Sequence, residues 1–230
     1  RPLTNNTPKC LLNIGGKAIL ERTIDNLIAN DIKEIIIVTG YLEDQIRSFL
    51  TETYPDIKFN FIYNNIYDST NNIYSLWMTK ESVLDDEIIL LDSDIVFDSK
   101  IIGMLINSNY ENCLAVRSDH QLGDEEIKLT LNEDKSIKEI SKVVDSQIAI
   151  GESIGIEKFS RKFVVNLFNI LDRMILDEKK VDVFYEAAFQ KAIDNGLKVF
   201  PVDVGELGCM EIDTIEDFED AGKFLTDKID

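Results

Sequence analysis

The sequence predicts an α/β fold, a mostly parallel sheet with helices on both faces and a small antiparallel extension. Three observations carry this reading. Helical apolar stripes alternate with β-branched runs through the first half of the chain. Beyond about residue 110 the apolar runs become short and are divided by polar turns. Two long helical stretches, a further extended run and a closing helix then follow. The length of 230 residues suits one domain with a substantial core, and no repeat or Pro/Gly-rich linker divides it, so 1–230 is read as a single domain.

Taken in order, Ala18–Ile32 places Ile19, Leu20, Ile24, Leu27 and Ile28 three and four apart, a helix with one apolar stripe. Glu34–Thr39 is β-branched and ends at Gly40, a strand buried on both faces. Glu43–Tyr54 is helical and stops at Pro55, Lys58–Tyr63 is extended, and Asn71–Val83 forms a helix after an Asn-rich loop. Glu87–Phe97 is a strand, apolar until Asp92. Cys113–Ser118, Ile127–Asn132, Ile137–Lys142 and Ile148–Ile156 are short extended segments, the turn at 132–135 marking a hairpin. Lys158–Asp177 and Asp182–Asn195 are helical, with Gly196 suited to follow a helix end. Leu197–Val202 is a strand and Thr214–Thr226 the last helix.

Composition restricts the chemistry. The chain has 24 basic and 43 acidic residues, a net charge of −19, which opposes general attraction to nucleic acid or an anionic membrane. His120 is the one histidine, so a His-rich zinc site is ruled out, and catalysis must use carboxylates, lysines and a hard metal. Cys10, Cys113 and Cys209 are odd in number, with no C-x-x-C, and suit reduced thiols in a cytoplasmic protein. Neither a spanning segment nor a signal peptide is visible.

The strongest acidic feature is Asp92-Ser93-Asp94, where a buried strand ends. Ligands of open α/β sheets sit beyond the carboxyl ends of strands, and residues i and i+2 share a side, so Asp92 and Asp94 suit one Mg²⁺, directly or through water. A strand ending in solvated acids or an Asx turn is the plainer alternative. Asp213 lies in an acidic stretch where Thr214 with Asp217, or Asp213 with Glu216, would form a capping box; if Thr214 is the cap, Asp213 can join Asp94 on a metal. Arg1 and Lys9 stand in a proline-punctuated loop before a helix, where a cation suits phosphate or is simply solvated. Asp182, Tyr185 and Glu186, spaced i, i+3 and i+4, share a helical face near Phe184. That face suits an ammonium group, or else it is an ordinary acidic first turn over a core aromatic. Trp77 reads as core, His120 as a surface residue and Cys10 as a small buried hydrophobe. Glu125 belongs to a solvated acidic run, with reach to an amine if the extension folds over the site.

Arg1-Pro2-Leu3-Thr4 and Thr7-Pro8-Lys9, followed by Leu11–Gly16 and Ile19–Leu27, resemble the N-terminal signature of nucleotidyltransferases that activate sugar phosphates and amino-alcohol phosphates. Asn71–Leu76, Asp92-Ser93-Asp94, Val181–Tyr185 and Glu211-Ile212-Asp213 resemble the phosphocholine cytidylyltransferase branch. Gly123-Asp124-Glu125, Ser141-Lys142, Gly151-Glu152 and Gly155-Ile156 look more like the 2-aminoethylphosphonate cytidylyltransferases. The resemblance implies a Rossmann-like fold, CTP and Mg²⁺. It makes Asp94 and Asp213 the metal carboxylates, Asp92 a further metal- or nucleotide-side acid, and Lys9 the cation on the triphosphate. It also implies a strand and Gly-rich loop upstream of Arg1 that this sequence does not contain.

The function expected is transfer of CMP from CTP to phosphocholine or 2-aminoethylphosphonate with release of pyrophosphate. The predicted acceptor side is Asp182, Tyr185, Glu186 and Glu125. Partners are CTP and a small zwitterionic phosphate or phosphonate, without nucleic acid or membrane, and homo-oligomers are compatible with the sequence. The rivals are a sugar-1-phosphate nucleotidyltransferase, a glycosyltransferase using Asp92-Ser93-Asp94, and a catalytically silent nucleotide-binding domain.

Overall fold

A computed structural model describes residues 4–120 and 122–228. The Arg1 expectation therefore lies outside the described residues. In chain order the regular elements begin with β1 (Asn13–Ile14), β2 (Lys17–Ala18), α1 (Ile19–Ala29), β3 (Ile35–Thr39), α2 (Glu43–Thr53) and β4 (Phe59–Tyr63). Then come α3 (Asn72–Met78), α4 (Lys80–Val83), β5 (Ile88–Leu91), β6 (Ile95–Phe97), α5 (Lys100–Ile106), β7 (Cys113–Arg117), β8 (Lys128–Leu131) and β9 (Ile137–Ser141). The last are β10 (Glu152–Phe159), α6 (Arg161–Asp172), α7 (Glu186–Asp194), β11 (Phe200–Asp203), β12 (Cys209–Glu211) and α8 (Ile215–Lys228). The chain divides into two compact units, one made from the described residues of Arg1–Asn65, Asp92–Gly103 and Glu206–Asp230, the other from Ile66–Leu91 and Met104–Gly205.

In the first unit β3 and β4 pair in parallel from Ile35 opposite Phe59 to Thr39 opposite Tyr63, with α2 as the crossover. β6 pairs antiparallel with β12, Glu211 standing opposite Ile95. Ile14, Ile19, Val96, Ile212, Ala221 and Leu225 form one buried cluster, so α1, α8, β1 and the β6–β12 pair share a core. Asn26 on α1 donates to the Phe97 carbonyl at 2.8 Å, fixing the helix along β6. The β1–β2 hairpin turns on Gly15 and Gly16, with φ of 59° and 91°. Two successive positive φ values define a two-residue turn that suits glycine.

The second unit carries a six-stranded sheet in the order β11-β7-β10-β8-β9, with β5 also pairing with β10. The β11–β7 pair is parallel, and the pairs of β10 with β5, β7 and β8, and of β8 with β9, are antiparallel. The register of β10 against β7 shifts between Ser153 and Glu157, where Gly155 has φ of 71°. Two extra residues on β10 there bend the strand, and glycine tolerates the geometry. Phe163, Val164, Leu167, Phe168 and Leu171 of α6 are buried, as are Ala188, Phe189 and Ala192 of α7. Phe159 stacks on Phe163 and meets Phe189 edge-on, linking strand and both helices.

The α/β class and most elements stand where the sequence puts them. Among the boundaries that differ, two have local reasons. The predicted strand Glu87–Phe97 is interrupted at Asp92-Ser93-Asp94, and its halves pair with different strands, β5 with β10 and β6 with β12. The predicted helix from Lys158 starts only at Arg161, because Lys158 and Phe159 pair in β10 and Ser160 is the cap, accepting from the Phe163 N–H.

Candidate active site

The loop before α1 delivers Lys9. Pro8, with φ of −57°, precedes a single helical turn of Lys9–Leu11. The Tyr41 hydroxyl donates to the Asn5 carbonyl and the Gln45 amide to the Asn6 carbonyl at 3.1 Å, so the loop is tied to the start of α2. Asp94 immediately precedes β6, and Asp213 follows β12 by two residues. The Ile212 N–H donates to the Asp94 carbonyl at 3.0 Å, which carries the antiparallel pairing to the strand ends and brings the two acids to one edge. Side chains alternate along an extended strand. With Ile212 in the core cluster, Glu211 and Asp213 lie on the other side.

These residues converge. The Lys9 ammonium donates to Asp94 at 2.8 Å and to Asp213 at 2.5 Å. Oxygens of Asp94, Glu211 and Asp213 lie within 4.8 Å of one another, a spacing able to hold a metal ion. Partial burial alone would lower the Lys9 pKa, but the charges and hydrogen bonds of Asp94 and Asp213 outweigh it and raise it. Glu211 is pushed up to about 7, first by loss of water around its carboxyl, then by the charges of Asp94, Asp213 and Asp92 acting against Lys9. The field of Asp92 thus reaches this cluster.

Asp213 stands just ahead of a capped helix. Thr214 and Asp217 form the capping box: Asp217 accepts from the Thr214 N–H at 2.7 Å and the Asp213 N–H at 3.0 Å, and the Thr214 hydroxyl accepts from the Asp217 N–H. Of the two boxes the sequence allowed, this one leaves the Asp213 side chain to Lys9. Glu211 was missed as a member of the cluster. The signal was present in the alternation of Glu211-Ile212-Asp213, which places both acids beside each other once Ile212 is known to be core. The donor set is all carboxylate oxygen, the type preferred by hard divalent cations, so the residues fit Mg²⁺.

The predicted acceptor residues lie in the second unit and differ from the helical-face reading. α7 begins at Glu186, and Asp182 is exposed in the bend before it. The Asn71 N–H donates to the Val181 carbonyl and the Tyr185 N–H donates to the Asn72 side chain, so residues 181–185 follow the start of α3 instead of continuing the helix. Tyr185 is only 2% exposed, its ring 5.0 Å from Phe189, and Glu186 is 6% exposed. The aromatic that reaches solvent is Phe184. Glu125 pairs with Lys142 at 3.1 Å.

Two bland expectations are refined. Trp77 is half-buried, and its indole N–H donates to Asp172 at 2.9 Å. His120 accepts from Arg117 at 3.1 Å and lies 3.2 Å from Glu152, so it helps to bind the β7–β8 connection. All three cysteines are buried and none forms a disulfide among the described residues, where no helix is long and apolar enough to cross a membrane.

Residues 6–220 match a family described as a domain of unknown function (DUF6564). The chain is 30% identical to the CTP:phosphoglutamine cytidylyltransferase of Campylobacter jejuni, over 95% of this chain and 92% of that protein. It is 27% identical to the choline-phosphate cytidylyltransferase of Streptococcus pneumoniae, over 98% of this chain and 92% of the relative. The solved structure of the CTP:phosphocholine cytidylyltransferase from Streptococcus pneumoniae superposes with a TM-score of 0.80 at 24% identity, covering 98% of this chain and 92% of that one, and so shares its Rossmann-like α/β fold. The chain is a nucleotidyltransferase, and within that class it belongs to the cytidylyltransferase family.

Proposed function

We propose that the protein transfers CMP from CTP to a small phosphorylated or phosphonylated acceptor bearing an amine, with release of pyrophosphate. The observation that carries this is the convergence of Lys9 with Asp94, Glu211 and Asp213 in a chain of the cytidylyltransferase family. The acceptor's phosphate or phosphonate oxygen is the nucleophile. It is already ionised at neutral pH, so no general base is required, in keeping with a cluster that contains no histidine.

Catalysis then consists of holding that oxygen in line with the α-phosphorus and balancing charge on the triphosphate. Lys9 supplies one positive charge, held between two carboxylates. Asp94, Asp213 and Glu211 would hold Mg²⁺, with Asp92 adding to the negative field. When bound, the ion neutralises phosphate oxygens and fixes their orientation. Asp182, Phe184 and Glu125 are the groups we assign to the acceptor, with Tyr185 and Glu186 supporting them from the core.

The test is to incubate the protein with Mg²⁺, each of the four nucleoside triphosphates and a panel of amine phosphates, phosphonates and sugar phosphates, following pyrophosphate release and product mass. CTP-dependent formation of a CMP-linked amine product is expected. Turnover with sugar phosphates alone would overturn the acceptor class.

A further inference from the structure

Lys142 stands one residue beyond β9, with its ammonium 4.9 Å from the centre of the Phe184 ring and 3.1 Å from the Glu125 carboxylate. Its placement is set by backbone. The Ile140 N–H donates to the Gln190 side chain at 2.8 Å, and the Gln190 amide donates to the Lys138 carbonyl at 3.1 Å, so the edge of β9 is pinned to α7 just before Lys142.

An exposed aromatic face is the feature that attracts a substrate ammonium. Phe184 is 43% exposed, yet its ring already carries a cation belonging to the protein. A second ammonium on that ring would meet Lys142 as a like charge. The Glu125 side chain is 92% exposed, and an ion pair so open to water is readily exchanged for another anion. Lys142 therefore offers a positioned positive charge with a replaceable partner.

We infer that Lys142 is a specificity-determining residue that favours acceptors carrying a carboxylate besides their phosphate and amine, and disfavours a bare quaternary ammonium. The inference rests on the cytidylyltransferase reading above and deepens it. The chemical class selected is a phosphorylated amino acid or its amide, of which phosphoglutamine is a usable example.

The experiment measures kcat and KM for phosphoglutamine and phosphocholine with CTP and Mg²⁺ in the wild-type protein, Lys142→Met and Lys142→Arg. We expect the wild-type protein to prefer phosphoglutamine in kcat/KM. Lys142→Met should raise its KM by about tenfold, the equivalent of one lost charged contact. Its kcat should stay nearly constant, the phosphocholine KM should not rise, and Lys142→Arg should restore much of the loss. A preference for phosphocholine in the wild-type protein, or an unchanged phosphoglutamine KM in Lys142→Met, overturns the inference while leaving cytidylyl transfer intact. No CTP-dependent pyrophosphate release with any acceptor overturns both.

Discussion

Lys9 and Asp94 lie 85 residues apart in sequence and 2.8 Å apart in space, and the same ammonium also holds Asp213. A cation placed between two acids keeps a dense negative cluster folded before any ligand arrives. Asp94→Ala and Asp213→Ala should each lower kcat by about 10²–10³-fold, the scale seen when a single group that stabilises transition-state charge is lost. Their melting curves should remain cooperative. Full turnover by Asp94→Ala at saturating Mg²⁺ would count against its role. In Lys9→Met the acids lose their internal counter-charge, so added Mg²⁺ should raise the melting temperature of the variant more than that of the wild-type protein. Equal shifts would show that the cluster does not bind the ion.

Asp172, near the end of α6, accepts from the Trp77 indole and pairs with Lys80 at 2.6 Å. Asp172→Ala leaves a half-buried N–H without that acceptor and should cost about 1–3 kcal/mol in urea unfolding. Burial works to raise the Asp172 pKa, but the hydrogen bonds from Lys80 and Trp77 and the Lys80 charge outweigh it and lower it below 3.8. A carboxylate with a depressed pKa contributes stability above its unfolded value, and that contribution fades as pH falls through the folded value. The wild-type protein should therefore lose more stability below about pH 4 than Asp172→Asn does. Parallel acid limbs would remove the assignment.

Gly15 combines a φ of 59° with a crowded site, since an added Cβ would stand 2.9 Å from Leu225 Cδ1 on α8. Gly15→Ala should destabilise by roughly 1–2 kcal/mol through left-handed strain, with an additional packing cost. Gly16 has φ of 91° but nothing within 4 Å of such a Cβ, so Gly16→Ala should cost less. Thermal melts of the two variants measure the difference, and equal losses would place the effect in the turn alone.

Cys10 follows Lys9 directly, yet its thiol is pushed up to about 12, first by burial and further by the Asp94 charge, with a backbone hydrogen bond opposing. The thiolate is the reactive form. Native protein at pH 8 should therefore leave Cys10 unmodified by a thiol reagent over times in which unfolded protein reacts fully. Peptide mapping of the labelled sites provides the check, and rapid native labelling at Cys10 would contradict it.

The sequence made the repeating helices and strands visible because apolar spacing reports burial directly. Ile19, Ile24 and Leu27 are core residues on the stripe that predicts α1. It also made Lys9, Asp94 and Asp213 visible as candidates, through residue type and a family resemblance. It did not show that Glu211 joins them, because β12 is only three residues long and its direction is set by pairing with β6. Nor could periodicity place Asp182. The spacing from Asp182 to Glu186 fits a helix, but tertiary hydrogen bonds from Asn71 and to Asn72 hold residues 181–185 in another path. Local pattern reads elements well when their partners are near in sequence, and poorly when a distant strand or loop decides the conformation.

The first unit is assembled from separated stretches of chain, the last beginning at Glu206. This sets an order of events during synthesis. The ribosome releases Asp94 85 residues after Lys9, and Asp213 only 204 residues after Lys9. Until then β6 lacks β12, and Val96 lacks the Ile212, Ala221 and Leu225 side chains that complete its cluster. A nascent chain stopped after β11 therefore exposes an unpaired strand edge beside an acidic end, a natural target for chaperones and proteases. Closure of the acidic site therefore waits on the stretch that carries Glu211 and Asp213.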